Sequence, residues 1–216
     1  MSAEGNLLLS ARRAGLVGAA MMALWLCCGC TVRAARSVSG SGSFASTPPG
    51  PTAVLRVTTA PAVAVRTGQT NWGLVTTANV EARFAEFLAD AAARDGGMSV
   101  LPPLDVEQRL STAGLKLTLQ PDEDQRRQYA KALGCASYLT AYVERSQLQY
   151  RFFLSWADVS FTVACYVPGQ TAPVWQVQIS RLAPGKTDRE AIALALAEMF
   201  QWLKGIPFSE ELPRAD

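Results

Sequence analysis

The sequence predicts an α/β domain: a mixed-sheet α/β sandwich with its elements in the order β-α-β-α-α-β-β-β-α. Three observations predict it. Apolar residues recur at helical spacing in stretches closed by glycine, as at Phe84, Phe87, Leu88 and Ala91 before Gly96-Gly97. Three later segments alternate apolar and polar residues, and in all three the apolar set falls on odd numbers. Helical and strand patterns also interleave through the first half, as in a sheet flanked by helices.

Each element has its own justification. Val54–Arg66 (VLRVTTAPAVAVR) is rich in Val and Thr, and its second half, Ala62–Arg66, reads as a buried strand with Pro61 at its start. Asn79 is the expected N-cap of the helix that carries Phe84. Met98–Leu101 reads as a short strand closed by Pro102-Pro103, and Asp105 with Gln108 has capping-box spacing for a brief helix ending near Gly114. Asp122, Glu123 and Asp124 crowd the first turn of the next helix, where carboxylates meet the positive end of the dipole; Gly134 stops it.

Strands at Ser137–Glu144, Ala157–Val167 and around Trp175–Ile179 then follow in series. Hairpins in which odd residues face odd residues place Leu139, Ala141, Val143, Val159, Phe161, Val163, Cys165, Trp175, Val177 and Ile179 on one sheet face. Thr187 and Glu190 form a capping box for the last helix. It turns Ile192, Leu196, Met199, Phe200 and Leu203 inward and closes at Gly205.

The N-terminal segment has a different character. Arg12-Arg13 precede an uncharged apolar run, Ala14–Leu26 (AGLVGAAMMALWL), shorter than the ~20 residues of a spanning helix and of secretory h-region length. Leu26-Cys27-Cys28-Gly29-Cys30 resembles a bacterial lipobox, whose last cysteine is diacylated and becomes the new N-terminus. The resemblance implies a lipoprotein signal peptide over 1–29 and lipidation at Cys30. Cys27 departs from the Leu or Val that the pattern prefers. Cys28 as the acylated residue, an ordinary signal peptide, a short membrane anchor and twin-arginine export are the alternatives. Residues 30–53 read as the acylated cysteine and a flexible Ser/Gly/Pro tether with an r.m.s. span on the order of 25 Å, leaving 54–216 as a periplasmic α/β domain.

Composition narrows the function classes. The chain has 216 residues, is 49% hydrophobic, and carries a net charge of +2 that falls by one when Glu4, Arg12 and Arg13 leave with the leader. That balance, without clustered Lys and Arg, argues against nucleic-acid binding. No histidine is present, and Cys135 and Cys165 stand alone, so no metal site is expected. No Walker loop, dinucleotide fingerprint or nucleophile elbow points to a cofactor or to catalysis, so none is expected. The carboxylates Glu81, Glu86 and Asp90, and those at 122–124, fit solvated helix faces and a dipole-complementing first turn rather than acid–base chemistry.

The element order and several phrases resemble the periplasmic α/β domain of CsgG-type secretion lipoproteins and of the TolB N-terminal domain. An activator lipoprotein of peptidoglycan synthases shares that domain type. The resembling pieces are Ala62–Arg66, the helix through Phe84–Leu88, Met98–Leu101 with Asp105–Leu110, the junction Ala132–Leu139 (ALGCASYL), and the strand pair Val159–Val167 and Val174–Ile179. They cover roughly residues 55–205. The resemblance implies a cell-envelope lipoprotein that works by binding another envelope protein, in an accessory or regulatory role in envelope or cell-wall assembly, and not by catalysis. The alternative is a ring-forming subunit of a CsgG-like secretion or surface-assembly complex, a homo-oligomer. The chain ends at Asp216 without a propeller, which speaks against a TolB role. Thr31 after the acylated cysteine, rather than Asp, suggests the outer membrane, with the domain in the periplasm.

Three site expectations remain. The segment Gln147–Trp156 (QLQYRFFLSW) is dense in aromatics, and Tyr150, Phe152, Phe153 and Trp156 are a candidate partner surface, set against simple packing under the sheet end. The even face of the strands (Tyr138, Tyr142, Thr162, Gln176, Gln178) is a second candidate, set against the ordinary wet side of a sheet. Export also exposes Cys135 and Cys165 to an oxidising compartment. A hairpin centred on Tyr150 sets them opposite each other, a possible disulfide, with buried free thiols as the alternative.

Overall fold

The computed structural model describes residues 34–61, 63, 77–118, 121–151 and 154–206. The chain divides into two units, Met1–Val32 and Arg33–Asp216, and all described residues belong to the second. Its strands are β1 (Ala35–Gly42), β2 (Pro51–Thr59), β3 (Ser99–Leu101), β4 (Ser137–Arg151), β5 (Leu154–Tyr166) and β6 (Trp175–Pro184). Its helices are α1 (Thr77–Ala91), α2 (Pro103–Thr112), α3 (Glu123–Leu133) and α4 (Asp188–Leu203). The strands form one mixed sheet in the order β1-β6-β5-β4-β2-β3, parallel at β4-β2-β3 and antiparallel elsewhere. The expected mixed-sheet α/β fold is the observed one, with an additional strand at its start.

The odd-number pattern settles the main core. Leu139, Val143, Phe161, Val163, Cys165, Trp175, Val177 and Ile179 are buried in one cluster with Phe84 and Leu88 of α1 and with Leu196, Met199 and Phe200 of α4. Phe84 meets Phe161 edge-to-face at 4.9 Å, a geometry that adds to the area the two rings bury. On the other face α2 and α3 bring Val106, Leu110, Tyr129 and Leu133 against Ala53, Leu55 and Tyr138. β2 is apolar on both faces because it lies inside the parallel part of the sheet, with a helix layer on each side.

Local signals explain the helix boundaries. Asp122 caps α3 and Thr187 caps α4, each in a capping box with Gln125 or Glu190. The bonds from Thr187 hold the Glu190 carboxyl below its ordinary value. Gly97 and Gly134 take the left-handed conformation that closes the π-turn after α1 and the end of α3.

Four expectations are corrected. The expected tether of residues 30–53 is largely folded over its described part, residues 34–53: Ala35–Gly42 pairs with β6 over its whole length, and Pro51 already belongs to β2. Gly40 there serves close approach rather than flexibility, since a Cβ on it would lie 2.4 Å from the Gln176 carbonyl oxygen and 3.1 Å from the Trp202 ring. The early strand is Pro51–Thr59, not Ala62–Arg66; Pro61 and Val63 are helical, and the rest of that stretch lies outside the described residues. Asn79 falls inside α1, which begins by Thr77. The helix at 103–112 starts on Pro103 after Pro102, so Asp105 sits in its first turn with no side-chain cap.

Candidate functional site

Two surfaces stand out: the uncovered part of the second sheet face, and the far end of the β4–β5 hairpin. Helices α2 and α3 cover that face only over β2–β4, and a groove of about 410 Å³ runs along their margin. Arg56, Thr118, Arg126, Tyr142, Tyr166 and Gln176 line it. Tyr138 lies beneath α3, 1% exposed, and stacks on Tyr166 at 5.4 Å with nearly parallel rings. The Arg126 guanidinium stands 6.0 Å above the Tyr166 ring. Burial pushes the Tyr138 phenol up, with Arg126 acting in the opposite direction. Tyr129 fixes the groove's rim by donating to the Lys116 carbonyl at 2.7 Å and accepting from the Thr118 N–H at 3.3 Å.

Farther along this face β4 carries a bulge at Glu144. The Glu144 carboxylate accepts from Ser160 Oγ at 2.8 Å, from Gln178 Nε2 at 2.9 Å and from Thr162 Oγ1 at 3.4 Å. These neutral donors tie three strands together, and the Ser160 hydroxyl is buried. Arg145 reaches Ser180 Oγ at 3.1 Å and Asp158 at 3.7 Å. The bulge inserts one residue and so exchanges the two faces of β4: beyond it Leu148, an even number, packs against the main core.

The second surface lies past the bulge. β4 and β5 continue as a pair to Arg151 and Leu154, well beyond the end of β2, whose last register pair is Thr59 with Val143. Tyr150 is in register with Ser155, and Trp156, half-buried, sits between Gln149 and Pro184. Phe152 and Phe153 lie outside the described residues, as does Cys30. The even-face set divides: Tyr142, Thr162 and Gln176 reach the groove, Gln178 holds Glu144, and Tyr138 is buried under α3. Arg56, Thr118 and Arg126 were not legible as groove residues, because Arg56 comes from β2 and the other two from the stretch leading into and along α3, 62 or more residues away. Glu144 keeps the alternation, a polar residue on an even number, so the pattern gave no sign of the bulge there.

The disulfide expectation is also corrected. Cys135 and Cys165 are both free thiols. Cys165 pairs with Leu139 in the main core, whereas Cys135 precedes β4 and packs with the cluster under α2 and α3, across the sheet. The register differs because only two residues separate Arg151 from Leu154, so the hairpin turns beyond Tyr150. Burial pushes the thiols up to about 11 for Cys135 and about 12 for Cys165. Both are therefore expected to resist iodoacetamide at pH 8 in the native mature protein and to take two alkyl groups once it is unfolded without reductant. An unfolded mass with no addition would mean a bond.

Among the described residues no cluster of three or more metal-ligating side chains occurs, and no helix is long and apolar enough to cross a membrane.

No family model matches the chain, and no curated protein matches it. Solved structures do. The chain is similar to the PelC dodecamer of Paraburkholderia phytofirmans, at 13% identity and a TM-score of 0.51, over 78% of this chain and 97% of that one. It is also similar to lipoprotein GNA1162 of Neisseria meningitidis, at 15% identity and a TM-score of 0.47, over 73% of this chain and 99% of that one. A third is the LpoB C-terminal domain of Escherichia coli, at 12% identity and a TM-score of 0.39, over 62% of this chain and 83% of that one. The PelC likeness shows the fold, an α/β domain on a mixed sheet. A bacterial lipoprotein is thus among the solved structures this chain is similar to.

Proposed function

We propose that the chain is a bacterial envelope lipoprotein, acylated on Cys30, whose periplasmic domain binds another envelope protein and carries out no catalysis itself. The observation that carries this reading is the sequence Leu26–Cys30 after an apolar run of export-signal length, followed by a folded domain that begins at Ala35. The groove beside Tyr142 and Tyr166 supports a binding role, since it offers aromatic faces, two guanidinium groups and the Gln176 amide. The bond from the buried Ser160 hydroxyl to half-buried Glu144 reads as a structural tie, not as an exposed nucleophile and base. Outer-membrane sorting through Thr31 belongs to the same proposal.

Intact-mass measurement of the mature protein tests the anchor. The N-terminus is expected at Cys30 with acyl chains attached, and Cys30→Ser is expected to accumulate as precursor or to leave the membrane fraction. An unmodified N-terminus downstream of Cys30 would overturn the reading.

A second reading, a ring of identical domains of the kind a CsgG-like assembly would use, is favoured by one observation. A structure with which this chain shares its fold is described as a dodecamer. Mass photometry of the detergent-solubilised protein separates the two readings, because a monomer excludes the ring.

A further inference from the structure

We propose that the groove along the margin of α2 and α3 recognises a carboxylate, and that its occupant is an acidic segment of the envelope partner, with Asp or Glu beside an aromatic or aliphatic residue. The inference rests on the proposed protein-binding role and adds the chemistry of the contact. Charge is its first ground. Arg56 and Arg126 line the groove, and no Asp or Glu does. Among the described residues neither arginine has an ion-pair partner, whereas Arg36, Arg145 and Arg181 of the same sheet each face a carboxylate. Burial pushes the Arg56 guanidinium down, and Glu81, which acts in the opposite direction, is not part of the groove. A cation partly withdrawn from water without a carboxylate beside it is costly, and an incoming carboxylate offsets that cost.

The two guanidinium groups are positioned before any ligand arrives. Arg56 donates from Nη1 to the Thr118 carbonyl, and Arg126 donates from Nε to the Asp122 carbonyl at 3.3 Å. Both acceptors precede α3, and the Arg126 group also lies over the Tyr166 ring. Groups already fixed lose little freedom on binding. Two wall residues also hold buried donors without a hydrogen-bond partner among the described residues, Arg56 Nε and the Tyr138 hydroxyl. A carboxylate, which only accepts, suits a site whose unmet groups are donors.

The rest of the groove suits the body that carries the acid. Tyr142 is 43% exposed, and with Tyr166 it offers ring faces to an aliphatic stem or a neighbouring aromatic residue. Thr58, Thr162 and Gln176 add neutral donors and acceptors for a peptide backbone. A volume of about 410 Å³ takes a small body, so the partner inserts a few side chains of one segment rather than a whole face. Arg145, the cation farther along this sheet face, is already engaged by Asp158 at 3.7 Å and by Ser180.

The test selects from a displayed library of random octapeptides on the full mature protein in detergent. Enriched peptides are expected to carry Asp or Glu beside Tyr, Phe, Trp or Leu. A fluorescein-labelled copy of the most enriched peptide should bind, by anisotropy, more weakly as salt rises. Exchanging its acid for the amide should weaken binding by about tenfold or more, and so should Arg126→Gln in the protein. Arg145→Gln, outside the groove, should leave the affinity unchanged. Arg126→Gln is expected to melt within about 3 °C of the unchanged protein, and Tyr142→Ser, at an exposed position, provides a second groove variant that should also weaken binding. Enriched peptides without acidic residues would overturn the inference and leave the protein-binding role standing. Acidic peptides that bind equally to the Arg126→Gln and Tyr142→Ser proteins lie elsewhere, which overturns it as well. So does displacement by inorganic phosphate but not by succinate at matched ionic strength, which means a phosphate-bearing ligand. A library that enriches nothing would also sink it, while the lipoprotein reading would still stand or fall on the mass of the N-terminus.

Discussion

A domain that starts at Thr52 is expected to be less stable than one that starts at Thr31 by at least about 4 kcal/mol, or roughly 10 °C in melting temperature. The excised residues contribute more than a ladder of backbone bonds to β6. Val38 packs against the main core, and the Phe44 ring lies 6.4 Å from Trp175 and 6.3 Å from Phe200. Thr47 Oγ1 accepts a 2.9 Å hydrogen bond from the buried Trp175 indole N–H. Losing the segment uncovers the Trp175–Phe200 corner, strands that donor, and turns β6 into an open edge prone to pairing with other chains. The shorter form should therefore also aggregate on heating. Equal melting temperatures would show that the first strand contributes nothing and that residues 31–51 behave as a linker after all.

Replacing Trp175 by Ala is expected to cost about 3–5 kcal/mol in urea unfolding, the range for large aromatic truncations in a core. Trp175 is fully buried and meets Phe200 edge-on at 6.5 Å. Trp175→Phe separates two contributions, because it keeps most of the ring and loses the bond to Thr47; it should cost about 1–2 kcal/mol. Phe44→Ala and Trp175→Ala together should destabilise by less than the sum of the single changes, with a coupling of roughly 0.5–1.5 kcal/mol. Strict additivity would mean that the Phe44 ring does not rest on the indole. Tracking the melting temperature against starting residue and against these variants reads the same contact from both sides.

The sequence by itself determined the elements whose signals are local. Capping boxes at Asp122 and Thr187, the glycines at 97 and 134, and the odd-number alternation from Leu139 to Ile179 each arise from interactions within a few residues or from one face buried along a strand. The structure has each where those patterns put it. The proposed lipobox rests on the same kind of signal, a contiguous stretch of sequence.

Tertiary structure alone decided the rest. Ala35–Gly42 has the composition of a linker, and it is a strand only because β6 offers a free edge and Gly40 lets the chain lie against the Gln176 carbonyl, where a Cβ has no room. The register of the long hairpin depended on how far β4 and β5 stay paired and on one bulge at Glu144, neither of which alternation reveals. That register carried Cys165 away from Cys135, and pairing through β6 set Ala35, Leu182, Asp158 and Gln147 in one row across the sheet. Local chemistry fixes which residues turn inward within an element, but edge pairing and the span of a hairpin are set by partners distant in sequence.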